Sequence, residues 1–95
     1  MDADQAETIA LTALGFFAED VQRLGRFLAL TGIGPAELKA EAGSARVLSA
    51  VLDHLMKDES LLLVFAAGSA TAPELIAAAH RQLEGAAGEF GGEFG

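Results

Sequence analysis

Cysteine, tryptophan and tyrosine are absent from the 95 residues, proline occurs twice, and Lys and Arg number six against fourteen Asp and Glu. Each shortage excludes something. Without cysteine there is no disulfide framework and no thiolate chemistry. A net charge of −8 argues against a general nucleic-acid binder, because phosphate contacts need positive charge. Val, Ile and Thr together number 11, whereas Ala and Leu number 34, which favours helices over strands. The longest uncharged apolar stretch, Leu61 to Ala72, falls short of the roughly 20 residues of a spanning helix. The opening Met1-Asp2-Ala3-Asp4 is acidic where a signal peptide carries basic residues. A cytoplasmic protein with no membrane partner is expected. What is present is apolar, 52% of the chain, too much for disorder.

Periodicity predicts an all-α fold, a compact single-domain bundle of five or six short helices over residues 1–84. A first helix spans about 4–18, with Ile9, Ala13, Phe16 and Phe17 on one face. A second runs from a cap at Asp20 to Gly32, its stripe being Val21, Leu24, Leu28 and Thr31, widened by Phe27. Pro35 opens a short third helix anchored by Leu38 and closed by Gly43. Ser44 caps a fourth, whose apolar stripe runs from Val47 to Met56. Asp58 caps a fifth. Its segment 61–67 is apolar on every side and is expected at the centre of the bundle. Thr71-Ala72-Pro73-Glu74 reads as a capping box before a sixth helix that ends at Gly85. Residues 85–95 hold five glycines and two copies of Gly-Glu-Phe-Gly. They read as a flexible tail, the alternative being a linear motif carried by Phe90 and Phe94.

Few patterns carry chemistry. Leu30-Thr31-Gly32-Ile33-Gly34-Pro35 resembles a helix-hairpin-helix turn, in which Gly32 and Gly34 would offer backbone N–H groups to a phosphate, supported by Arg23, Arg26 and Lys39. Residues 20–43 carry no net charge and are the least acidic part of the chain. Leu38 stands where that motif has a small residue, however, and no basic residue directly follows Pro35. The simpler reading is a tight turn that needs glycine. His54 and Asp58 are four apart, but Asp58 reads as a cap and no third metal ligand is placed. Asp53, Asp58 and Glu59 are accounted for by solvation and capping. No catalytic residue, metal or cofactor site is expected.

From Asp20 to Leu83 the order of blocks resembles a bacterial family known as domain of unknown function 3572. The blocks are Arg-Leu-Gly-Arg-Phe-Leu-Ala-Leu-Thr-Gly (23–32), Pro-Ala-Glu-Leu (35–38), Val-Leu-Asp-His-Leu (51–55) and Asp-Glu-Ser-Leu-Leu-Leu (58–63). The resemblance implies a short all-helical cytoplasmic protein of the kind common in alphaproteobacteria, with no assigned activity. Many members carry an aromatic where His54 stands, and a cysteine where Ala66-Ala67 stand. The Gly-Glu-Phe-Gly tail is outside the pattern.

The functional expectation is a small non-enzymatic interaction module, binding an unknown protein partner or itself as a homo-oligomer. A domain of this size hides only about 60–65% of its unfolded surface, which leaves oligomerisation open. Phe16, Phe17 and Phe27 are the candidates for an exposed patch, since one stripe cannot bury both neighbouring phenylalanines equally. The alternatives are a nucleic-acid-associated protein using the 30–39 turn, and an acidic mimic that binds a basic partner.

Overall fold

Hydrogen-bonded caps divide the chain. In this computed structural model, which describes the backbone of residues 1–92 and the side chains of residues 1–87, the helices are α1 (Ala3–Ala18), α2 (Val21–Thr31), α3 (Pro35–Glu41), α4 (Ala45–Met56), α5 (Glu59–Ser69) and α6 (Pro73–Gly92). No strand occurs among the described residues. Asp2 accepts from the Gln5 N–H at 2.7 Å, Asp20 from Gln22 at 2.9 Å, Ser44 from Val47 at 3.2 Å and Asp58 from Leu61 at 3.1 Å. Each such cap contributes about 1 kcal/mol. Gly32 ends α2 at φ +76°, its N–H donating to the Leu28 carbonyl, and the turn delivers Ile33 into the core. Pro35 sits in the first turn of α3. Arg46 at the start of α4 pairs with Glu37 and, at 3.4 Å, with Glu41, tying α3 to α4. Its hydrogen bond holds the Glu37 carboxyl below the usual carboxylate range. The all-α, single-domain expectation holds.

The centre of the bundle is α4, not the 61–67 segment. Val47, Leu48, Val51, Leu52 and Leu55 are all buried, each contributing about 1.5–3 kcal/mol. Helices α1, α2, α5 and α6 all pack against α4. The apolar 61–67 segment of α5 fully buries only Phe65, sets Leu61, Leu62 and Ala66 half-buried against the core, and leaves Leu63 and Val64 53% and 57% exposed. Two residues, Lys57 and Asp58, join α5 to α4, so α5 folds back along the edge of the bundle. The remaining faces of α4 meet α1 and α6. Being apolar all round makes a helix able to be buried; it supplies no neighbours to bury it.

On α1 the buried stripe is Ala6, Ala10, Ala13 and Phe17. Three alanines in that stripe let α1 lie close to α4 and α6, because the interaxial distance follows side-chain size. Ile76, Ala79 and Leu83 face the core from α6. Two ends differ from expectation. The Thr71 box does not form: Ala70 closes α5 in the left-handed region (φ 53°), and the Thr71 hydroxyl donates to the Ser69 carbonyl at 3.3 Å. Helix α6 also passes through Gly85 to Gly92. Gly85 has no positive φ, and extending a nucleated helix through Ala86 and Ala87 is easy. The boundary expected at residue 84 is therefore not a helix end. Phe90 and Phe94, the proposed linear motif, have side chains outside the described residues. No single helix among the described residues is long and apolar enough to cross a membrane.

Candidate functional site

Neighbouring residues on a helix point about 100° apart, and this separates Phe16 from Phe17. Phe17 continues the Ala6–Ala10–Ala13 stripe inward and is fully buried, as is Phe27; their rings stack at 5.4 Å. Neither belongs to an exposed patch, which corrects the expectation for both. On α2 the stripe is centred on Phe27, and Val21, expected to face inward, is 86% exposed. Phe16 sits at the edge, half-buried. Its ring meets Phe65 of α5 at 5.3 Å, and the Arg23 guanidinium lies 3.9 Å above it. Arg23 Nη1 also donates to the Phe16 carbonyl at 2.7 Å, satisfying an acceptor at the end of α1 that the helix itself leaves free.

Phe16 and Phe65 contribute to a surface groove of about 360 Å³ between α1 and α5. Gly15 and Gly68 line it, one from each helix, and nothing lies within 4 Å of where a Cβ would stand on either. Val64 forms part of one wall, and Glu19 lies at an end of α1. Beyond the groove, α5 presents Glu59, Ser60, Leu63 and Ala67 to solvent. Leu11, one turn before Gly15, is 42% exposed. This face was not anticipated from sequence. The signal available was the Ser60–Val64–Gly68 spacing, which sets a polar and a small residue on one side of an apolar run.

A second concavity, about 760 Å³, opens between α2, the end of α4 and the start of α5, and includes Arg26, Asp53, His54, Lys57 and Asp58. His54 lies edge-on to Phe17 and Phe27 at 5.3 and 5.4 Å. Burial pushes its imidazole below the usual histidine range; Asp58 and Asp53 oppose this, while Arg26 and Lys57 add to it. Asp58 is held as the α5 cap and Asp53 pairs with Lys57 at 2.8 Å. No hydrogen bond among the described residues orients the imidazole as a base would require.

His80 of α6 is 13% exposed, with Nε2 at 3.7 Å from Asp53 and 3.6 Å from Glu84. Among the described residues no three His, Cys, Asp or Glu are placed to hold a metal ion.

The hairpin residues come together only in part: Arg23 and Arg26 share a concavity of about 300 Å³ with Asp20, His54 and Asp58, and neither glycine nor Lys39 lines it. Gly34 precedes α3 in an extended conformation with no side-chain cap. Arg23 is turned to α1, Arg26 lines the His54 cleft, and Lys39 sits in the last turn of the seven-residue α3.

No curated protein and no solved structure matches the chain. A family described as "Protein of unknown function (DUF3572)" matches residues 3–86. That span takes in α1 through α5 and most of α6, with the groove and the His54 cleft inside it, so the chain belongs to this family.

Proposed function

We propose that the protein is a non-catalytic interaction module that receives a segment of another protein on the face formed by α1 and α5. One observation carries the reading: in the apolar segment 61–67 only Phe65 is fully buried, Leu61, Leu62 and Ala66 are half-buried against the core, and Leu63 and Val64 stand more than half exposed, Val64 in the wall of an open groove. Two adjacent, exposed large apolar side chains beside a groove with an aromatic floor support a docking role. The charge of −8 favours a different, more basic protein over a second copy, which brings in the mimic reading. The hairpin reading is disfavoured, because Arg23 is engaged by Phe16. A cytoplasmic setting, implied by the family resemblance, belongs to the same proposal.

The test compares tagged wild type with Leu63→Asp/Val64→Asp, each captured from native cells after nuclease treatment at low and high salt. The expected result is one stoichiometric protein held by the wild type and lost by the variant, with helix content unchanged. Identical recovery with both proteins, or recovery of nucleic acid alone, contradicts the proposal.

A further inference from the structure

Neither α1 nor α5 contains a Lys or Arg. Glu7 stands one turn before the exposed Leu11, and Glu59 one turn before the exposed Leu63; this spacing places each pair on one helix edge. Glu19 lines the groove. Arg23, which reaches over from α2, is engaged by the ring and carbonyl of Phe16. Exposed apolar side chains and an aromatic floor thus have Glu19 in the lining and Glu7 one turn from Leu11, while Glu59 stands at the start of α5, where it also lines the His54 cleft. The opening lies between two helices, and its two glycines leave open space for incoming side chains. Among the described residues there is no strand edge for an extended peptide to join. Helix-in-groove docking by an apolar face is the recognition mode that suits such an opening.

Resting on the reading of this face as a docking surface, we infer that its occupant is an amphipathic helix of another protein, with leucine- or phenylalanine-sized anchors along one stripe and Lys or Arg beside it. A second copy of the chain is a poorer occupant. Residues 1–19 carry −4, and two such faces would set like charges against each other.

The probe is a labelled synthetic amphipathic helix of Leu, Ala and Lys. Its controls are a scrambled peptide of the same composition and a counterpart with Glu in place of Lys. All are titrated with the full chain at low and moderate salt. The Leu/Lys helix is expected to bind about tenfold or more tighter than either control, with affinity falling but not vanishing as salt rises. Leu63→Asp/Val64→Asp is expected to weaken it by about tenfold. Those two aspartates add negative charge, so an association driven by charge alone would tighten instead. Gly68→Leu, which fills the notch, should also weaken binding while leaving helix content intact.

Equal binding of the scrambled peptide, or unchanged or tighter binding by the aspartate variant, overturns the inference. So does a wild-type dimer in sedimentation that Val64→Asp dissolves, which would assign the face to a second copy. If the variant loses its cellular partner while the Leu/Lys helix does not bind the wild type, the docking face stands and only the basic helix falls.

Discussion

Truncating Phe17 to Ala probes the packing that separates core from surface on α1. The side chain is fully buried, stacks on Phe27 at 5.4 Å, and meets Phe16 and His54 edge-on at 5.8 and 5.3 Å. Removing a buried phenylalanine costs about 3–5 kcal/mol, transfer and cavity together. A chain of this length has roughly 5–15 kcal/mol in total, so the variant loses a large share of its stability. At about 4–8 °C per kcal/mol for a small domain, the midpoint falls by roughly 12 °C or more. With no Trp or Tyr, the assay is far-ultraviolet circular dichroism through a urea titration, beside thermal melts. The urea slope should stay constant while the midpoint drops. A surface phenylalanine would cost about 0.5 kcal/mol or less. A loss under about 1 kcal/mol would therefore refute the placement of Phe17 in the core.

Three further predictions concern positions where local structure carries a cost or a contact. His54→Phe removes a group whose folded proton affinity is pushed below its ordinary value near 6.5. The unfolded chain then binds the proton first, so wild-type stability falls as pH drops below about 6.5, and the variant's advantage in urea titrations should grow from pH 8 to pH 5. An advantage that stays level across that range would contradict the assignment. Ala70→Gly relieves a left-handed residue (φ 53°) at the end of α5; it should raise stability by about 0.5–1 kcal/mol in thermal melts, the strain relief outweighing the extra freedom of the unfolded chain. Arg23→Ala removes both the contact over the Phe16 ring and the hydrogen bond to its carbonyl. It should cost about 1–2 kcal/mol in urea titrations, and no loss would contradict the structural role given to Arg23.

Much of the architecture was legible in single residues. Asp20, Ser44 and Asp58 cap helices because a short side-chain oxygen meets free N–H groups wherever those residues precede an apolar stripe. Gly32 ends α2 because it alone takes the left-handed geometry there without strain. The α4 stripe declared its buried face because polar residues occupied the other side. Helix α5 offered no such contrast. Its exposure depends on a two-residue connection and on which faces of α4 were already covered by α1 and α6, and both are tertiary facts. The inward alanines of α1 were only partly legible, since Ile9 and Phe16 compete with them as apolar residues and only packing chooses between the faces. The candidate docking face is composed of residues that read as core, so it emerges only when the fold leaves them uncovered.

Helix α5 lies at the edge of the bundle and presents Leu63 and Val64 outward. The most direct test is the unfolding free energy of Leu63→Asp/Val64→Asp, measured beside Phe17→Ala under the same conditions. With α5 at the edge, the double variant is folded and helical and loses about 1 kcal/mol or less, as expected of largely exposed positions, while Phe17→Ala loses about 3–5 kcal/mol. A double variant as damaged as Phe17→Ala, or one that fails to fold, would put α5 back at the centre of the bundle and remove the docking face.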